Sequence, residues 1–175
     1  RSSRRRDRCR PGLNVIDSLD SRFAPSTDTD ERGPPVPLFV DTNALFAYFY
    51  RPSSQHDEVR TVIRAIGAGD LPYNPLLTNQ YVLDEVVTLL LSRADTRAAH
   101  EALGSILDEP TFEVLGVEPQ LVERAVGRFR RYDDQTISLT DHMIAVQADE
   151  RGVDHLFTYD GDFRTVGVTV VPRDA

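Results

Sequence analysis

Pro37-Leu38-Phe39-Val40-Asp41-Thr42-Asn43-Ala44-Leu45-Phe46 is the stretch from which the architecture unfolds. Leu38 to Val40 reads as a strand buried on both faces, with a carboxylate at its C-terminal end. In an open α/β sheet, ligand sites form at that edge. Asp41 could simply cap the helix that begins near Ala44, but Thr42 and Asn43 offer adequate caps of their own, which favours a functional role for the acid.

Outward from this stretch, short apolar runs alternate with segments of helical period, as expected of a parallel sheet covered by helices on both faces. Val59, Val62, Ile63 and Ile66 line one helix face, ended by Gly67 and Gly69. Leu76-Leu77-Thr78 is a second strand, and Asn79 caps a helix to about Ser92. Ala98 to Leu107 form a helix that Pro110 stops. Phe112 to Val117 is a third strand. A helix begun after Pro119 carries Leu121, Ala125, Val126 and Phe129. Ser138 or Thr140 caps a helix through Ala148, ended by Gly152. His155 to Thr158 and Val168 to Val171 supply the last strands.

The length of 175 residues suits one domain with a real core. Residues 1–36 differ from the rest: Arg, Ser, Asp, Pro and Gly dominate, so a disordered N-terminal tail and linker is expected, with the folded domain over 37–175. The 20 basic residues are all Arg, against 28 acids, for a net charge of -8. Without Lys the chain cannot be a P-loop hydrolase or a Schiff-base enzyme. Its acidity also excludes nucleic-acid binding by a uniformly basic surface, so any polyanion needs a local cation. The single Cys9 forms no internal disulfide, and no apolar run reaches the length of a membrane span; a reducing cytoplasm is the expected setting.

Three further acids stand out. Glu85 shares a helix side with Val82, Val86 and Leu89, so its carboxylate is expected to face inward, where it must be protonated, paired or bound to a cation. Asp141 lies three residues after Ser138, and a capping box explains it cheaply. Asp160 follows the strand end Leu156-Phe157-Thr158 and precedes Gly161-Asp162, where turn chemistry is the plainer explanation. Yet three of the four acids fall at strand ends or helix starts on one sheet edge, and the fourth projects from a helix that follows a strand. If they converge, their repulsion calls for divalent cations, and all-oxygen donors select Mg2+ or Mn2+. Two such ions roughly 3.5–4 Å apart are the usual apparatus for attack of water on a phosphodiester. His56, His100, His142 and His155 show no zinc spacing and read as surface or packing residues.

In these four blocks the sequence resembles the PIN-domain ribonucleases, including the VapC-type toxins. Val40-Asp41-Thr42-Asn43, Val82-Leu83-Asp84-Glu85, Leu139-Thr140-Asp141 with Ile144, and Phe157-Thr158-Tyr159-Asp160 with Phe163 occur in the family's order over about Pro37 to Pro172. The resemblance implies a three-layer α/β/α fold with a central parallel sheet, and hydrolysis of RNA phosphodiester bonds with Mg2+ or Mn2+. It implies Asp41, Glu85, Asp141 and Asp160 as catalytic, metal-binding acids, with Thr42, Asn43, Thr158 and Asp162 as auxiliary residues. A homodimer and a small antitoxin protein are its expected partners. His142 departs from the small residue that usually follows the third acid.

Arg124, Arg128 and Arg131, at i, i+4 and i+7 on one helix, form a candidate RNA-binding ridge; an ordinary solvated face is the alternative. Haloacid-dehalogenase-like phosphatases and response-regulator receivers also place an Asp after a first strand, but both normally use a lysine, and the former wants an Asp where Asn43 stands. An RNA-processing nuclease without an antitoxin, and a non-catalytic RNA-binding or scaffold module, stay open.

Overall fold

The computed structural model describes residues 34–132, 137–166 and 169–171. The expected tail therefore lies outside the described residues, except for Pro34 to Val36, the last of which already belongs to the first strand. Five strands form one sheet: β1 (Val36–Val40), β2 (Tyr73–Asn79), β3 (Phe112–Leu115), β4 (His155–Phe157) and β5 (Thr169–Val171). Their order is β3-β2-β1-β4-β5, and every pairing is parallel. Leu38, Phe39, Val40, Leu76, Leu156 and Phe157 are buried, as a strand covered on both faces requires. Burying each large apolar side chain contributes roughly 1.5–3 kcal/mol.

Six helices connect the strands: α1 (Thr42–Phe49) and α2 (His56–Gly67) between β1 and β2, α3 (Gln80–Arg93) and α4 (Thr96–Asp108) between β2 and β3, and α5 (Pro119–Phe129) and α6 (Leu139–Arg151) between β3 and β4. A 3-10 turn, Gly161–Val166, precedes β5. With right-handed crossovers, the chain steps outward from β1 to β3 with α1 to α4 on one face, then returns past β1 with α5 and α6 on the other. Leu121, Ala125, Met143 and Val146 form a separate apolar cluster between α5 and α6. The sheet thus has a topological switch between β1 and β4, and the C-terminal ends of those two strands open a crevice.

Local chemistry explains most boundaries. Asn79 Oδ1 accepts from the backbone N–H groups of Tyr81 and Val82 and starts α3, as the sequence predicts. Pro119 occupies the first turn of α5. Gly152 closes α6 at φ 63°, a left-handed conformation that glycine adopts without strain. Two expectations shift. α1 begins at Thr42, and Asp41 itself is the cap, its Oδ1 accepting from Thr42 N at 2.6 Å. β3 ends at Leu115 rather than Val117, where its register with β2 runs out at Asn79.

Candidate active site

Asp41 sits at the switch point. Its backbone N–H donates to Phe157 O of β4 at 3.1 Å, so the first residue beyond β1 is tied to the neighbouring strand's end. The side chain is buried, with 3% exposure. Thr158, the residue after β4, donates its hydroxyl proton to Asp41 Oδ2 at 2.9 Å. The same hydroxyl oxygen accepts from Asn43 Nδ2 and from Asp160 N, each at 3.0 Å, which saturates it. Asn43 Oδ1 accepts from Tyr159 N at 3.0 Å. Thr158 and Asn43 thus clamp the two strand ends together and fix the rotamer of the buried acid.

Glu85 corrects the sequence reading. Its side chain is exposed, not buried. The buried stripe of α3 runs through Val82, Val86 and Leu90, and Glu85 lies about 100° around the helix from the centre of that stripe. It stands on the wall of the crevice instead, where Thr42 Oγ1 donates to its Oε2 at 3.0 Å. Burial therefore places no demand on the Glu85 charge; its link to Thr42, next to Asp41, brings it to the site.

Asp141 performs the capping role that offered the plainer explanation. Its Oδ2 accepts from Ser138 N at 2.8 Å while Ser138 Oγ accepts from Asp141 N at 3.1 Å. Asp160 Oδ1 accepts from Asp162 N at 2.9 Å, which is turn chemistry, and Asp162 is exposed. Both acids nevertheless belong to the same electrostatic group. Burial, then the negative charge of Asp141, then that of Glu85 raise the Asp41 carboxyl; its bonds from Thr158 and Thr42 oppose the rise, and the net result is a value of about 7. Asp141 is raised chiefly by burial, and further by Asp160 and Glu85, against its bonds from Ser138. Asp41 and Asp141 are thus each raised in part by other acids of the set.

The donor set is all carboxylate and hydroxyl oxygen, which suits a hard divalent cation. His142 does not contribute: it is fully buried, its ring meeting Phe129 edge-on at 5.8 Å and Tyr132 at 5.7 Å, and burial together with Arg128 lowers its pKa. Among the described residues no group of three acidic, histidine or cysteine side chains is closed around a common metal position. The acids form a mutually repelling set, and a divalent cation matches it by charge and donor type. Asp41, Glu85, Asp141 and Asp160 are the residues that could hold it.

A buried polar link escaped the sequence reading. Asn79 Nδ2 donates to Gln147 Oε1 at 2.9 Å, and Gln147 Nε2 donates to Gly116 O at 2.9 Å. It joins the start of α3, the helix carrying Glu85, to α6, the helix carrying Asp141. Gln147 among the buried residues Ile144, Ala145 and Ala148 was the available signal. The arginine ridge is present in altered form. Arg124 is paired with Glu150 at 2.5 Å, Arg128 lies over the Tyr132 ring at 5.9 Å, and Arg131 is exposed.

Residues 38–168 match the PIN domain family. Among solved structures, 11 chains match. One is VapC20 of Mycobacterium tuberculosis, a sarcin-ricin loop cleaving toxin, with 26% identity and a TM-score of 0.66 over 75% of this chain and 95% of that one. Another belongs to a toxin-antitoxin complex from Klebsiella pneumoniae, with 23% identity and a TM-score of 0.54 over 79% of this chain and 99% of that one; at that identity it speaks for the fold alone. Comparison with curated proteins gives no match.

Proposed function

The chain belongs to the PIN domain family, and on that premise we propose that it is a Mg2+- or Mn2+-dependent endoribonuclease, the toxin of a VapBC-type pair. The observation that carries the reading is the buried Asp41 at the switch point, tied by Thr42 to Glu85 and by Thr158 to Asp160, with its carboxyl pushed up to about 7 by burial and by the charges of Asp141 and Glu85. A protein that only needed a cap or a turn at these positions gains nothing from gathering the four charges. When bound, a divalent cation supplies the positive charge that lets these carboxylates ionise together and that offsets charge developing on the scissile phosphate.

The chain's own residues do the rest. Thr42 N and Thr158 Oγ1 hold both oxygens of Asp41 in one orientation. Thr42 Oγ1 restrains Glu85 on the crevice wall, where its exposed carboxylate can orient a water. Ser138 fixes Asp141 at the opening turn of α6. Asn43 acts through Thr158 as a positioning residue. The toxin role draws on the likeness to VapC20, a cleaving toxin; a small antitoxin protein that blocks the site and a homodimeric state are part of the same proposal, as the family resemblance implies. No helix among the described residues is long and apolar enough to cross a membrane.

The test is cleavage of a single-stranded oligoribonucleotide with Mn2+ or Mg2+. Asp41→Asn, Glu85→Gln, Asp141→Asn and Asp160→Asn are each expected to lower the rate by about 100-fold or more, and excess EDTA to abolish it. Cleavage that persists in EDTA, or that tolerates loss of Asp41 and Asp141, would overturn the reading.

A further inference from the structure

His142 directly follows Asp141 and is wholly buried, at 0% exposure. Among the described residues, neither of its ring nitrogens has a hydrogen-bond partner. Gln147, five residues further along the same helix, is bonded at both ends of its amide. Burying polar nitrogens without bonds is costly, and a Leu would fill a similar space without that cost. What His supplies and Leu does not is a flat ring. Resting on the nuclease reading above, we propose that His142 is a positioning residue: clasped by Phe129 and Tyr132, its ring fixes the first turn of α6 against the end of α5 and so sets where Asp141 stands in the carboxylate site.

The clasp is built where α5 ends. Phe129 is the last residue of that helix, and Tyr132 N donates to Phe129 O at 3.3 Å, closing a turn that brings both rings to one imidazole. The Phe129 and His142 rings are 5.8 Å apart and nearly perpendicular, at 84°. Tyr132 and His142 are 5.7 Å apart and tilted by 33°. At these separations aromatic rings attract with a preferred orientation, so the contact resists rotation as well as withdrawal. Tyr132 also carries the Arg128 guanidinium over its ring at 5.9 Å, which restrains that ring in turn.

Asp141 has no equivalent restraint of its own. The capping box with Ser138 spans three residues and moves with the turn that contains it, so it sets the rotamer of the acid and leaves its distance from Asp41 open. Leu139, Met143 and Val146 seat α6 on Leu121 and Ala125 of α5. Such apolar contacts are non-directional and tolerate small shifts. Gln147 anchors α6 to Asn79, but about 9 Å along the axis from Asp141. The aromatic clasp is the directional contact beside the acid itself. Groups that orient a metal ligand affect metal affinity even though they never touch the ion.

The experiment measures Mn2+ affinity by calorimetry, the urea midpoint, and amide hydrogen exchange in the metal-free protein. His142→Leu removes two unbonded nitrogens and is expected to keep or raise the urea midpoint, yet to weaken Mn2+ binding roughly tenfold. Exchange at the Asp141 and Met143 amides should quicken, while Ala148 and Asp149 at the far end of α6 stay as in wild type. His142→Phe, which keeps a ring, should return Mn2+ affinity to within about twofold of wild type. Phe129→Leu should also weaken Mn2+ binding, and adding it to His142→Leu should weaken it no further, since the two changes remove one contact. Val146→Ala, which loosens the apolar seat instead, should lower the midpoint and leave Mn2+ affinity unchanged. Wild-type Mn2+ affinity in His142→Leu, an equal loss in His142→Phe, or an affinity loss reproduced by Val146→Ala would overturn the proposal. Should wild type take up no Mn2+, the nuclease reading fails, and the exchange pattern still decides whether His142 fixes the turn that carries Asp141. Mn2+ uptake with this variant pattern but no RNA cleavage by wild type retains the positioning role and refutes the nuclease reading.

Discussion

Asp41 is held where folding and ionisation oppose each other. Its carboxyl is pushed up to about 7 by burial and by its acidic neighbours, so in the metal-free protein the folded state keeps a proton that the unfolded chain releases near 3.8. The folded state binds more protons in that window, and stability must therefore fall as pH rises from about 4 to 7. The span corresponds to roughly 4 kcal/mol at its upper limit. Urea denaturation in EDTA is expected to show a midpoint that declines over that range, and Asp41→Asn should flatten the decline. A midpoint that rises from pH 4 to 7 in wild type would contradict the account. Thr158→Val removes the hydroxyl that serves Asp41, Asn43 and Asp160 together, and a loss of 10- to 100-fold in activity is expected, in the range typical for residues that orient metal ligands. Asp41 was legible in the sequence because a buried strand ended on it. The exposed placing of Glu85 was not, because Val82, Val86 and Leu89 define a helix side too coarsely to separate the buried stripe from its flank.

The crevice depends on how α3 and α6 are anchored to the sheet edge. Ser138 and Asp141 close the capping box of α6, so Ser138→Ala should destabilise the protein by about 1 kcal/mol in urea denaturation and loosen Asp141. Gln147 links Asn79 to Gly116, and Gln147→Leu leaves the buried Asn79 amide without its partner and breaks the tie to the exposed Gly116. A cost of about 2 kcal/mol is expected, with a further fall in activity at temperatures where the variant is still folded, because the helices carrying Glu85 and Asp141 lose their shared tie. Helix positions were readable from apolar spacing, caps and the stops at Pro110 and Gly152. The Asn79–Gln147 link was not, since a polar residue on an inner helix face reveals its partner only after the chain has folded. Gly127 illustrates the same limit: its place in the middle of a helix is visible in the sequence, but the space beside it is not.

Across the whole molecule, the alternation of strands and helices was enough to predict a parallel sheet with helices on both faces, and the order β3-β2-β1-β4-β5 then makes the β1–β4 crevice the expected ligand site. What the sequence could not supply is distance, which decides whether acids far apart in the chain influence one another. The structure answers for Asp41, which Asp141 and Glu85 raise further beyond the effect of burial, and for Asp141, which Asp160 and Glu85 raise further; the central claim is that this gathering serves to bind a divalent cation. Calorimetric titration of the metal-free protein with Mn2+ near pH 6.5, repeated in buffers of different ionisation enthalpy, tests that claim most directly. The account predicts uptake accompanied by release of a substantial fraction of one proton, as Asp41 gives up the proton it holds at about 7, with affinity at least tenfold weaker in Asp41→Asn and Asp141→Asn. Equal affinity in wild type and both variants, with no proton released, would contradict it.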